Sequence, residues 1–355
     1  MDTSLLHHLR SLVKPRIVTL LCVTGLFSLL AAGGGSVTLV AGFLVAGGSI
    51  AASGAAFNCW YDRHLDRHME RTADRPLPSG RLDHRIAVAF ALGLLILGTT
   101  IGVVVLPIDS VVYMLLGFTA YVGLYTVLLK RRHWLGVVLG GSAGSFPVLA
   151  GWTAVRPLAP GALVMALVVF AWTPAHAWAL AHVYRSEFTA VDIPTLPVVA
   201  SKARVQRGIQ YSVWGTVISA ACVIPFANPP YAVTVLIGGA LFVLGFRQFD
   251  RTGSEPAAVR AFFTSNLFLA VLFTSWGLGE IISDAVPWIR VLVAIALPVL
   301  FVRLWTARPA LRDVRASVGG EWRIDPHRLR DGIEAVLGKH IRENDHVDVF
   351  RRGNR

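Results

Sequence analysis

Apolar residues gather along this chain into runs of about twenty, divided by polar stretches rich in arginine, lysine and histidine. A helix needs roughly 20 such residues to cross the hydrocarbon core of a bilayer. The runs fall near 17–33, 37–60, 86–106, 109–129, 134–155, 161–183, 209–227, 231–246, 262–282 and 288–305. Lipid offers no partner to a free backbone N–H or C=O, so each run is expected to be helical. The predicted fold is all-α: a polytopic membrane bundle of nine or ten transmembrane helices. The tenth run is interrupted by Pro298 and crowded by Arg290 and Arg303. After it, Leu329, Ile333, Val336, Leu337 and Ile341 recur at helical spacing, as in a short amphipathic helix. The chain thus divides into a membrane domain over 1–285, an extra transmembrane helix over 286–305 and a basic cytoplasmic tail over 306–355.

Composition agrees. Of 355 residues, 54% are hydrophobic and only 15% charged, against about 25% charged in ordinary soluble domains. The net charge of +12 would suit nucleic acid, but the basic residues sit between apolar runs, where they orient membrane helices. The partner they imply is the lipid bilayer, with no nucleic acid. The N-terminus and the loops at 61–85, 130–133, 184–208 and 247–261 hold 3, 6, 3, 4 and 3 Lys or Arg. The opposite loops hold two, Arg156 and Arg290. That ratio of 19 to 2 puts the N-terminus and the basic loops in the cytoplasm. In a prokaryote the membrane is the plasma membrane. No cleavable signal peptide is expected. Cys22, Cys59 and Cys222 have no metal-ligand spacing and read as structural.

One stretch departs from this simple pattern. Residues 37–57 carry no charge, and then "NCWYDRHLDRHMERTADRPLPSG" begins at Asn58. Asn58, Asp62 and Asp66 are four apart, so on a helix they form one ladder rising roughly 12 Å. Two carboxylates and an amide suit a hard cation such as Mg²⁺, which is often shared with substrate phosphates. Arg63, Arg67, Arg71, Arg75 and Arg81 in the same segment can bind phosphate oxygens. Together they suggest a diphosphate carried with its metal. The plain alternative is an orienting loop whose acids neutralise its arginines. The spacing, and the position of Asn58 within an apolar span, favour the cation site. A second polar patch, with Arg185, Glu187 and Asp192, leaves the sixth span at the same membrane face. Four spans separate the two patches, which hints at two related four-helix halves.

The first patch resembles the N-x-x-x-D-x-x-x-D signature of the UbiA superfamily of intramembrane prenyltransferases. More narrowly, four segments are similar to its protoheme IX farnesyltransferase branch: "NCWYDRHLDRHMERTADRPLPSG", "LVKPRIVTLL" at 12–21, "YTVLLKRRHWLGVVLGGSAGSFPVLAGW" at 125–152 and "IPTLPVV" at 193–199. The resemblance covers about residues 10–285. It implies a bundle around a central cavity, farnesyl diphosphate as donor, heme b as acceptor substrate and Mg²⁺ as cofactor. The implied product is heme O, made with addition of water and release of diphosphate. A heme A synthase or an oxidase-assembly protein is the implied partner. Asn58, Asp62 and Asp66 would be the catalytic metal ligands, and Lys14, Arg71, Arg75 and Lys130 the diphosphate-binding residues. The chain departs from the branch at Pro174-Ala175-His176-Ala177, where Pro-Pro-His-Phe is usual, and at Glu187-Phe188, where Asp-Tyr is usual. The second aspartate-rich motif is thus only partly present.

Aromatic faces stabilise cations by ~0.5–2 kcal/mol each. Phe57, Trp60, Trp172, Trp178, Tyr121 and Tyr125 lie on the candidate helices, and about a third of them are expected to line the cavity. His176 has two readings, a heme-iron ligand or a hydrogen-bonded core histidine. His182, six residues on, is turned about 120° from it. Other functions stay open. A UbiA-type enzyme could prenylate an aromatic acid, a quinone precursor, a chlorophyllide or a lipid instead. A transporter would place charges and broken helices at mid-membrane. A non-catalytic heme-binding assembly factor leaves the acidic ladder unexplained.

Overall fold

Sequence punctuation sets the helix boundaries. Ser36 accepts a hydrogen bond from the Leu39 N–H at 3.2 Å and opens one long helix. Asp83 accepts from Arg85 N–H at 2.7 Å, and Asn228 from Tyr231 N–H at 3.1 Å with Pro229 following. These are the usual helix-starting residues. Gly253, at φ 59°, closes a helix in the left-handed conformation that suits glycine.

The computed structural model describes residues 3–281. Its elements are α1 (Thr3–Leu12), α2 (Pro15–Ala31), α3 (Val37–Asp66), α4 (His84–Val105) and α5 (Ile108–Thr119), which continues as a π-helix over Ala120–Leu129. There follow α6 (Gly136–Gly140), α7 (Ser142–Thr153), α8 (Pro160–Val183), α9 (Arg185–Ala190), α10 (Leu196–Val199), α11 (Lys202–Val223), α12 (Pro229–Thr252) and α13 (Glu255–Ile281). A 3₁₀ turn, Ile224–Phe226, follows α11.

Among the described residues, seven helical segments are long and apolar enough to cross a membrane. The pair Leu5–Leu12 and Pro15–Ala31, bent by 50°, makes an eighth if counted as one span. The run expected over 134–155 is broken into α6 and α7. Four expected spans are longer than the sequence suggested: α3 runs on to Asp66, α11 starts at Lys202, α12 runs on to Thr252 and α13 starts at Glu255. The tenth span over 288–305 and the tail over 306–355, with its amphipathic helix, lie outside the described residues. The chain is an integral, multi-pass membrane protein.

Two interiors result. Between α8, α11, α12 and α13, Tyr231, Phe242, Phe246, Phe268 and Phe273 are fully buried and fill the space. Phe242 stacks on Phe268 at 5.0 Å and meets Phe246 edge-on at 5.0 Å. The other interior, among α2, α3, α5 with its π extension, and α7, is hollow. There α2 and α7 cross at glycines: a Cβ on Gly151 would lie 2.1 Å from the Gly25 carbonyl oxygen. Small residues at such crossings let backbones touch where no water drives helices together.

Candidate active site

The hollow interior is an apolar cavity of about 230 Å³. Its wall includes Phe43, Gly47, Ala51 and Gly54 of α3, Phe118 and Tyr121 of the α5 helix, and Phe146 of α7. Lys14 is the one charged residue in that wall. Its Nζ donates to Asn58 Oδ1 at 2.5 Å, so the apolar cavity opens directly beside the predicted ladder.

Asn58, Asp62 and Asp66 do share one face of α3, and all three are buried. Asn58 Nδ2 donates to Asp62 Oδ2 at 2.9 Å and to Thr126 Oγ1 at 3.1 Å. Asp62, 1% exposed, is met on both oxygens by cations. Lys130 Nζ donates to Oδ2, and Arg131 donates to Oδ1 at 3.0 Å. Arg75 donates to Asp66 Oδ2 at 3.2 Å. A carboxylate this deeply buried is tolerated only when paired and hydrogen-bonded, and charge-assisted bonds are the strong ones.

The π-helix explains how the α5 segment serves both the cavity and the ladder. Tyr121 lines the cavity beside Gly54, while Lys130 pairs with Asp62. On an α-helix, nine residues at about 100° each would set Tyr121 and Lys130 about 180° apart. The wider i→i+5 winding takes about 4.4 residues per turn and brings them within about 20° of one face. Its signature is direct: Lys130 N–H donates to Tyr125 O at 2.8 Å, five residues back.

Of the remaining predicted residues, Arg71 lies half-buried over the Tyr184 ring at 5.5 Å, and its Nε is buried without a partner. Burial, and then Arg75 nearby, push the Arg71 guanidinium below its ordinary value, while Glu187, Tyr184 and Asp66 oppose them. In the second patch only Glu187 comes near Arg71, and its Oε2 is also buried without a partner. Arg185 and Asp192 are exposed. Arg185 belongs instead to an open surface groove with His182 and Glu255.

His176 is stacked between Trp172 at 4.1 Å and Phe262 at 4.4 Å. Its Nδ1 lies 2.8 Å from Ser265 Oγ, which itself donates to Phe262 O at 2.6 Å. With that hydroxyl proton committed, Nδ1 is the protonated nitrogen, and Nε2 holds the lone pair. His182 ties α8 to the Gly253 carbonyl at 3.1 Å.

Sequence reasoning missed Arg131 and Thr126. A signal for each existed: Arg131 adjoins Lys130, and Thr126 lies four residues before it. Of the six aromatics singled out, only Tyr121 lines the cavity. Trp172 and Trp178 belong to the filled interior, and Phe57 packs edge-on against Trp60 and Phe118.

The ladder suits a divalent ion in its chemistry: two carboxylates and an amide oxygen on successive turns of one buried face. Among the described residues, no three His, Cys, Asp or Glu side chains converge into a cage. An ion held by few protein ligands and completed by substrate phosphates fits such a set.

Comparison with known proteins identifies the family. Residues 20–267 match the UbiA prenyltransferase family. The protoheme IX farnesyltransferase of Rhodococcus jostii (strain RHA1) is 37% identical over 287 residues, 77% of this chain and 92% of that protein. That of Nostoc sp. (strain PCC 7120) is 36% identical over 296 residues, 81% and 91%. Among solved structures, a digeranylgeranylglyceryl phosphate synthase superposes with TM-score 0.66 at 16% identity, covering 78% of this chain and 98% of that one. A UbiA homolog from Archaeoglobus fulgidus, bound to GPP and Mg²⁺, gives 0.58 at 17%, covering 77% and 99%. With its buried ladder at the mouth of an apolar cavity, the chain belongs to the UbiA prenyltransferase family and is a membrane-embedded prenyltransferase.

Proposed function

We propose that this enzyme transfers a farnesyl group from farnesyl diphosphate to a vinyl group of heme b, with addition of water, giving heme O and diphosphate. The observation that carries the donor half is the junction at Lys14, where an apolar cavity meets a buried acidic ladder edged with cations. A prenyl diphosphate has that same division, an oily tail and a charged head. The acceptor half is supported by the relatives, which are named protoheme IX farnesyltransferases.

Each residue has a role derivable from its place. Asn58 Oδ1, Asp62 and Asp66 would hold a divalent ion such as Mg²⁺, which supplies Lewis-acid neutralisation of the diphosphate when bound. Lys14, Lys130, Arg75 and Arg71 complement the charge that grows on the departing diphosphate. Arg71 Nε, without a protein partner, is a donor ready for a phosphate oxygen. The allylic C–O bond breaks beside an apolar cavity, and Tyr121 and Phe118 in its wall are aromatic groups suited to stabilise the carbocation. The vinyl carbon of the acceptor then attacks, water captures the cation left on the porphyrin side, and the proton that this water loses passes to the departing diphosphate or to solvent. No general base is needed to make the nucleophile. If His176 holds heme iron, it would do so through Nε2, because Nδ1 is hydrogen-bonded to Ser265. Glu187 beside Arg71 extends the polar head region, and the whole site faces the cytoplasm by the charge asymmetry of the loops.

Mass spectrometry of heme recovered after incubation tests this. Purified protein receives heme b, Mg²⁺ and prenyl diphosphates of two, three or four isoprene units. A heme heavier by one farnesyl and one hydroxyl group is expected. Unchanged heme with all three donors, alongside prenylation of an aromatic acid or a lipid glycerol, would overturn the acceptor assignment.

A further inference from the structure

Thr126 is fully buried, and its hydroxyl makes two hydrogen bonds with opposite roles. It donates to the Tyr121 carbonyl, 2.8 Å away and five residues back, and it accepts from Asn58 Nδ2 at 3.1 Å. A hydroxyl has one proton. Because the π-helix places the Tyr121 carbonyl where that proton goes, only the oxygen lone pairs remain to face Asn58. The amide must therefore present its NH₂ group to Thr126 and to Asp62 Oδ2, and its Oδ1 to Lys14.

Three neighbours agree on this orientation, but they are not equally permanent. Lys14 sits in the cavity wall, and Lys130 and Arg131 share Asp62. These charged groups can exchange the ladder for a phosphate when substrate enters. Thr126 carries no charge and is enclosed, so it alone keeps its bond to Asn58 unchanged through that exchange.

We propose that Thr126 is a positioning residue of the prenyl-transfer site: it locks the Asn58 amide so that Oδ1 faces the diphosphate-binding mouth of the cavity. The proposal rests on the prenyl diphosphate reading given above. It assigns the π-helix a purpose, since the same winding brings Tyr121, Thr126 and Lys130 onto the face that meets Gly54, Asn58 and Asp62 of α3. Partners that orient ligands from outside the first contact layer typically govern affinity or activity by 10–100-fold.

The test compares wild type with Thr126→Val, which keeps the shape and removes the hydroxyl, and with Thr126→Ser, which keeps the hydroxyl. Binding of farnesyl thiodiphosphate, a slowly reacting analogue, is measured by calorimetry across a Mg²⁺ titration, with turnover alongside. Thr126→Val is expected to raise the Mg²⁺ concentration for half-maximal binding roughly tenfold or more. Thr126→Ser is expected to stay within about threefold of wild type. Equal Mg²⁺ dependence in wild type and Thr126→Val would overturn the proposal while leaving the donor assignment standing. So would a Ser variant as impaired as the Val variant, since the methyl group would then be what matters. Wild-type protein that binds no thiodiphosphate at any Mg²⁺ level would remove the prenyl diphosphate reading and this proposal with it. Should Thr126→Val fail to fold, judged by gel filtration and circular dichroism, Thr126→Ala takes its place.

Discussion

Lys14 and Asn58 are 44 residues apart in sequence and 2.5 Å apart in space, Nζ to Oδ1. The lysine occupies the break between α1 and α2 with φ 46° and ψ 63°, a left-handed conformation that ordinary side chains avoid. Strain of this kind persists where the surroundings insist on it, often at functional sites. Here it lets one ammonium group belong both to the cavity wall and to the ladder.

The strain and the charge can be separated by substitution. Lys14→Met and Lys14→Gly both remove the ammonium group, but only glycine adopts the backbone conformation without cost. Both variants are expected to raise KM for farnesyl diphosphate by about tenfold. The glycine variant is expected to be the more stable of the two by about 0.5–1 kcal/mol. Detergent unfolding curves beside steady-state kinetics check both signs, and a methionine variant of equal or greater stability would contradict the strain.

Asp62 is the centre of the charge network, with cations on both oxygens. Under the proposed function, in which the carboxylate serves the departing charge, Asp62→Asn is expected to lower turnover by about a thousandfold or more. Folding is expected to survive, since Arg131 is more than a third exposed and can turn to solvent. Removal of divalent ions with EDTA should abolish turnover in wild type, and Mg²⁺ should restore it. Near-normal prenyl transfer by Asp62→Asn would refute the ladder as the working site.

Gly47 stands in the cavity wall eleven residues before Asn58, or roughly 16 Å along α3. A Cβ there meets Met114 Cε at 3.4 Å, an ordinary contact, so the backbone accepts a side chain. Gly47→Leu is expected to fill the far end of the cavity and turn preference from farnesyl toward geranyl diphosphate by about tenfold in kcat/KM. Competition between the two donors, read by product mass, measures this.

Gly151 allows no such freedom. A methyl there would press on the Gly25 carbonyl at 2.1 Å and on Leu29 N at 3.1 Å, both backbone atoms. Gly151→Ala is expected to cost about 1–3 kcal/mol or more by forcing α2 from α7. A fall in the unfolding midpoint of the purified protein, with reduced turnover, is the expected result.

Much of this was legible beforehand. The apolar runs located the helices, and the four-residue spacing located Asn58, Asp62 and Asp66 on one buried face. The family resemblance added Lys14, Arg75 and Lys130, each of which touches that ladder. Other features could not be read. The segment Ala120–Leu129 looks like any apolar run, and nothing in its composition announces i→i+5 winding. Lipid tails are as apolar as a protein core, so a phenylalanine facing the cavity and one facing a neighbouring helix carry the same pattern. That is why Phe43, Phe118 and Phe146 were not singled out, while Trp172 and Trp178 were. The break between α6 and α7 was equally silent, since Gly140 and Gly141 are common inside membrane helices.

The two interiors differ in a way that bears on how such an enzyme can change over generations. One side is a solid aromatic mass around Phe242 and Phe268; the other is a hollow walled by glycines, alanines, branched aliphatics and a few rings. Under the proposed function, mutations that reshape the hollow would alter which isoprenoid is accommodated and leave the packing of the mass opposite untouched. On that reading, new donor lengths could be explored by single wall substitutions far from the aromatic mass.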